Sequence, residues 1–191
     1  WMHSNPGRYD TKIAGEGPRA TPTIHKKYVY ALGATGILNC LELETGKPVW
    51  QRNITSDAGL ENDDEMDQTG ASKKRNKAKE WGYSSSPLIL EGKVIVSAGG
   101  ESGKSLLAYN IDSGEPEWSG GNSRAGYSSA HTATIHGEEQ VLIFNQEELT
   151  AHAPETGSVI WSFEWKVGVP HVSMPVILND NQILLSLGYG Q

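Results

Sequence analysis

Three segments of the chain end alike, and a repeat of this kind limits the possible folds more than any single residue does. They are Thr45-Gly46-Lys47-Pro48-Val49-Trp50, Ser113-Gly114-Glu115-Pro116-Glu117-Trp118 and Thr156-Gly157-Ser158-Val159-Ile160-Trp161. A small residue stands ten positions before each tryptophan: Cys40, Ala108 and Ala151. Trp1 reads as the tail of an earlier copy. A second anchor lies upstream in each copy, at Pro22, Pro87, His131 and Pro175. These positions are 65, 44 and 44 residues apart, so the period is about 44 and the surplus falls mostly between Trp50 and Trp81. A period of this length suits a four-stranded propeller blade.

The residues within a copy point to strands. Tyr28–Leu32, Lys93–Val96, Gln140–Phe144 and Gln182–Leu185 are short apolar runs rich in β-branched residues. Alternating segments follow over Ile37–Leu43 and Leu106–Ile111, and the last strand carries the tryptophan. The Thr-Gly or Ser-Gly pair supplies the tight turn before it, because glycine tolerates positive φ. No segment reads as a convincing amphipathic helix. The expected fold is therefore all-β, a propeller of four-stranded antiparallel blades. Repeats are expected at about 19–54, 81–121, 125–165 and 169–191, with a charged insertion at about 55–80. A blade has two apolar faces and must stack on its neighbours to bury them. Trp50, Trp118 and Trp161 are expected to fill the gaps between blades, with Gly46, Gly114 and Gly157 shaping the turns.

Composition removes several functions. Of 191 residues, 16 are Lys or Arg and 23 are Asp or Glu, a net charge of 16 − 23 = −7. A surplus of acid repels phosphate backbones, so no nucleic-acid partner is expected. The longest apolar stretches, such as Val141–Phe144, are far shorter than the roughly 20 residues of a spanning helix. The single cysteine, Cys40, leaves no internal disulfide and no multi-cysteine zinc site.

The pattern small-x-polar-x-x-Thr/Ser-Gly-x-x-x-Trp resembles the tryptophan-docking repeat of propellers similar to pyrroloquinoline quinone (PQQ) enzymes. It reads here as Cys40, Glu42, Thr45-Gly46 and Trp50, then Ala108, Asn110, Ser113-Gly114 and Trp118, then Ala151, Ala153, Thr156-Gly157 and Trp161. The family usually has Asp where this chain has Glu42, Asn110 and Ala153, so the motif is worn. The resemblance covers nearly the whole chain. The family includes PQQ-dependent alcohol dehydrogenases and bacterial outer-membrane assembly lipoproteins of the BamB type. It implies a periplasmic or secreted bacterial protein of seven or eight blades, which need roughly 300–350 residues. This chain supplies about four, so it is expected to be part of a longer propeller. In isolation its uncovered blade surfaces would favour self-association or poor solubility.

The resemblance implies two functions. One is a non-catalytic scaffold that binds a protein or peptide on its rim. The other is a quinoprotein oxidoreductase of the alcohol or sugar dehydrogenase type, using PQQ and calcium, with its site completed by blades outside this segment. Residues leading into the innermost strands could ring the mouth of the central channel: Arg19, Tyr83, Ser84, Tyr127, Ser128 and His171. A quinoprotein needs oxygen ligands for calcium and a carboxylate base. No carboxylate pair sits in this ring, so no catalytic residue and no cofactor are assigned to the segment. The histidines lack metal-ligand spacing, and no metal site is expected. The insertion has an acidic half, Glu61–Asp67, and a basic half, Lys73–Lys79, and reads as a solvated excursion.

Overall fold

A computed structural model describes residues 1–5, 9–11, 15–60 and 81–188. Most of the charged insertion expected at 55–80 lies outside the described residues. Near the start, β1 (Asp10–Thr11) and β2 (Gly15–Glu16) form a two-stranded hairpin of their own. Blade one contains β3 (Thr23–His25), β4 (Tyr28–Leu32), β5 (Ile37–Glu42) and β6 (Pro48–Asn53). A one-turn helix α1 (Ile54–Asp57) follows. Blade two contains β7 (Leu88–Leu90), β8 (Lys93–Gly100), β9 (Lys104–Asn110) and β10 (Pro116–Gly120). Blade three contains β11 (His131–Ile135), β12 (Glu138–Phe144), β13 (Glu148–His152) and β14 (Val159–Glu164). A further pair, β15 (Val176–Asn179) and β16 (Gln182–Leu184), begins a fourth. Each complete blade is an antiparallel meander in chain order.

The core is layered between sheets. Tyr30, Leu38, Cys40 and Trp50 of blade one pack with Val94, Val96, Leu107 and Tyr109 of blade two. Ile95, Leu106 and Ala108 pack with Ala130, Val141 and Ile143. Leu142, Phe144 and Leu149 of blade three meet Ile177 and Ile183 of the last pair. The middle strands are covered on both sides, so β8 is buried from Val94 to Gly100 and reads as a continuous apolar run. In the outermost strand β6 the only buried residue is Trp50.

The register explains the small residue ten positions before each tryptophan. Cys40 lies directly across from Trp50, Ala108 from Trp118 and Ala151 from Trp161, each beside a β-bulge. A small partner leaves room for the indole to lie toward the next blade.

Two local features lie outside the blades. The segment before Arg19 is too glycine-rich and polar to supply two good strands to the last blade, and among the described residues β1 and β2, two residues each, pair only with each other. Helix α1 gives no sequence signal because four residues are too few to show a 3.6-residue period. The Asn53 side chain caps it, accepting from the Thr55 and Ser56 amides at 3.0 and 3.3 Å. Ile54, Ala58 and Leu60 are all buried, so the chain stays in the core to residue 60.

Candidate functional site

Two blade-to-blade junctions, and the contact of Trp1 with blade one, share one geometry. The Trp1 indole N–H donates to the Leu43 carbonyl at 2.8 Å, Trp50 to Ile111 at 3.0 Å and Trp118 to Pro154 at 2.9 Å. Each acceptor lies three residues before a turn glycine: Gly46, Gly114 or Gly157. These glycines have φ of +70°, +73° and +71°. A Cβ on Gly114 would fall 2.7 Å from Trp50 Cδ2, and one on Gly46 or Gly157 would run into the Trp1 or Trp118 ring. Glycine is thus needed twice over, for the left-handed backbone and for the bare face on which the ring lies. Each glycine amide closes the turn onto the carbonyl four residues back, at Glu42, Asn110 and Ala153.

The worn polar position of the motif is answered differently in each turn. Asn110 Oδ1 accepts from the Asp112 and Ser113 amides, both at 3.1 Å. Glu42 accepts from the Thr45 hydroxyl at 2.6 Å. Ala153 has no side-chain acceptor, and there the Thr156 and Ser158 hydroxyls bond to each other at 2.8 Å.

The residues expected at the channel mouth make several separate contacts. Arg19 donates to the Gly17 and Gly15 carbonyls at 2.8 and 2.9 Å, and its guanidinium lies 5.3 Å from the Tyr9 ring centre. Tyr83 is buried, with its hydroxyl on the Ala98 carbonyl at 3.2 Å. Ser84 donates to the Tyr127 carbonyl at 3.1 Å, and the Tyr127 amide donates to the His171 carbonyl at 2.7 Å. The Tyr127 ring stacks on Trp81. Ser128 is buried and points to the Ser129 carbonyl. His171 is fully buried, stacked on Phe144 at 4.0 Å, with Nδ1 on the Asn145 carbonyl. Ser84, Tyr127 and His171 therefore stand in series across blades two, three and four, whereas Arg19 is held by the N-terminal hairpin. Arg19, Tyr83, Ser84 and Ser128 thus place side-chain polar atoms on main-chain carbonyls. Among the described residues, no cluster of three or more His, Cys, Asp or Glu could hold a metal ion.

Three polar clusters escape sequence reading. At the junction of blades two and three, Asn145 Oδ1 accepts from the Ser97 hydroxyl at 3.0 Å and the Gly126 amide at 3.3 Å, while its Nδ2 donates to Ser105 at 2.7 Å. On the rim, Glu147 accepts from the Ser123 hydroxyl, the Arg124 amide and the Arg124 guanidinium. Burial, together with Glu147 and Glu164 nearby, raises the Glu148 carboxyl above its ordinary value, partly offset by a bond from Ser162. Beside α1, Asp57 takes two bonds from Arg52, at 2.8 and 3.1 Å, and one from the Tyr109 hydroxyl at 2.8 Å. None of these residues recurs at the repeat spacing, which is the only signal that could have found them.

Known proteins share this repeat. Two solved structures resemble the chain: BamB from Moraxella catarrhalis (17% identity, TM-score 0.49, covering 77% of this chain and 34% of that one) and quinohemoprotein alcohol dehydrogenase from Comamonas testosteroni (17%, 0.49, 77% and 27%). In sequence, the chain is 33% identical over 110 residues to outer membrane protein assembly factor BamB of Moranella endobia (strain PCIT). That match covers 50% of this chain and 28% of the relative. Residues 66–182, more than half of the chain, match the sequence profile described as outer membrane protein assembly factor BamB. With Trp50 and Trp118 each lying on the turn of the following blade and the match over residues 66–182, the chain belongs to the BamB family of β-propellers.

Proposed function

We propose that this segment is part of a non-catalytic scaffold of the BamB kind, which holds a protein partner on its rim during outer-membrane protein assembly in the bacterial periplasm. The family match over residues 66–182 carries this reading. The Ser84 hydroxyl and His171 Nδ1 are engaged by the Tyr127 and Asn145 carbonyls, which fits a structural role for both. The rim offers unlike surfaces to a partner. The charged cleft of Arg124, Glu147, Glu148, Glu164 and Lys166 lies beside the apolar outer strand β14. No helix among the described residues is long and apolar enough to cross a membrane.

Site-specific photo-cross-linking in a periplasm tests the proposal, with the probe at exposed Glu164 or Val159 of the full-length protein. Adducts with a component of the outer-membrane assembly machinery are expected. Saturable binding of PQQ with calcium, accompanied by dye reduction, would overturn the scaffold reading in favour of a quinoprotein.

A further inference from the structure

The charged rim cleft lies between blades two and three, both of which have all four strands in the chain. It has a volume of about 290 Å³. Its blade-three wall carries a pair that the repeat does not explain. Glu148 on β13 stands directly across from Glu164 on β14. Glu148 is three residues before the small residue Ala151, and Glu164 three after Trp161. An odd offset puts both on the strand face opposite the tryptophan, toward blade two. The same two places hold Ile37 and Asn53 in blade one, and Ser105 and Gly121 in blade two. The fold therefore requires no charge at either place. Like charges directly opposite on an antiparallel pair repel.

Two of the cleft's carboxylates have a cation of their own. Lys166, just past β14, pairs with Glu164 at 2.5 Å, and Arg124, from the connection after β10, pairs with Glu147. Glu101 of the β8–β9 turn lines the blade-two wall with Asn122 and Ser123. Among the described ion pairs none takes Glu148, which accepts a bond from Ser162. Four carboxylates thus face two cations, a charge of 2 − 4 = −2. The Glu164 side chain is 66% exposed, whereas Glu148 is half-buried. Burial, and then the nearby Glu147 and Glu164, raises the Glu148 carboxyl above its ordinary value, while Ser162 and Lys166 oppose the rise.

We propose that Glu148 and Glu164 form a proton switch in the rim cleft: the two carboxyls share a single proton, carried on Glu148, until it leaves to solvent and both become carboxylates. In the protonated state the Glu148 O–H donates to the Glu164 carboxylate, which lies within reach across the strand pair. In the ionised state two carboxylates oppose each other at the end of β13–β14. The proton settles on Glu148 because Lys166 favours the ionised form of Glu164, and because a half-buried carboxyl is the costlier of the two to ionise. A folded-state value above the unfolded one has a definite sign. The protonated pair stabilises blade three at low pH, and that stabilisation is lost as the pH rises through the folded value. Buried His131 and His152 act in the opposite sense, losing stability as the pH falls. The switch is a property of blades two and three and does not depend on the scaffold reading.

The test follows the side-chain carboxyl carbons of the 13C-labelled chain by NMR between about pH 4 and pH 8, a range that brackets a raised glutamate. Loss of a signal in Glu148→Gln and in Glu164→Gln assigns the pair. Glu148 is expected to titrate above the ordinary glutamate value. Glu164→Gln removes the opposing charge and should lower the proton affinity of Glu148 about threefold. Lys166→Ala should move the pair the other way. A glutamine amide stands in for the protonated carboxyl, so Glu148→Gln should have a higher urea midpoint than the parent chain at about pH 7.5 and the same midpoint at about pH 4. A Glu148 midpoint at or below the ordinary glutamate value overturns the proposal. So does a midpoint that Glu164→Gln leaves in place, because the two carboxyls are then independent. A Glu148→Gln chain less stable than the parent near neutral pH also overturns it.

Discussion

Trp50 and Trp161 form an internal pair, because the same residue at the same repeat position differs only in what lies beyond it. Trp50 is 9% exposed, sits in the layer between blades one and two, and lies on Gly114. Truncation to alanine empties that layer and should cost about 3–5 kcal/mol. Little is added by the lost hydrogen bond, because the Ile111 carbonyl keeps the Tyr30 hydroxyl at 3.3 Å. Trp161 has a groove on one side and donates within its own blade. Trp161→Ala loses only the half-buried ring and leaves the buried Gln140 without that donor, together about 1.5–2.5 kcal/mol. The expected gap is about 2 kcal/mol, close to 30-fold in the folding equilibrium. At about 2–4 °C per kcal/mol for a chain of this size, Trp50→Ala should melt roughly 10 °C low and Trp161→Ala roughly 5 °C low. Urea denaturation followed by far-UV circular dichroism gives the free energies, and a thermal scan gives the melting points. Equal losses, or a larger one at Trp161, would refute the role assigned to the turn of the next blade.

Three further outcomes follow from particular contacts. Gly114→Ala adds the cost of a left-handed backbone to a Cβ 2.7 Å from Trp50, so it should cost about 2–4 kcal/mol in urea denaturation; a neutral result would contradict the turn geometry. Asn145→Leu leaves the buried Ser97, Ser105 and Gly126 groups without their shared partner and should lower stability by about 2–3 kcal/mol, with amide exchange accelerating at the junction of blades two and three; a loss confined to blade one would contradict that placement. Burial holds the His152 and His131 rings below the ordinary histidine value, so the unfolded chain takes up protons first as the pH falls below about 6.5; stability should be complete above that value and lost toward the lower folded-state values, and His152→Gln should flatten the decline in urea midpoint between pH 7.5 and pH 5.

The repeat alone determined the class of fold. Recurring Gly-x-x-x-Trp endings, apolar runs and glycine turns describe a blade of about 44 residues that is unstable alone, so stacked four-stranded sheets are the way to bury it. This much is legible because strand period, turn chemistry and repeat length are local properties, visible wherever the chain is read. The destination of each polar atom is not local. Tyr83, Tyr127 and His171 look like a binding ring when aligned in sequence, and only stacking shows that Tyr83 and His171 are buried and that Tyr127 is locked between blades. The Asn145 cluster joins residues about 20 to 48 positions apart with no period to mark them. Trp161 makes the same point most sharply. Its motif matches those of Trp50 and Trp118, and only the packed sheets show that its indole N–H goes to Gln140 Oε1, because the partner of a polar atom is set by the surface opposite it in space.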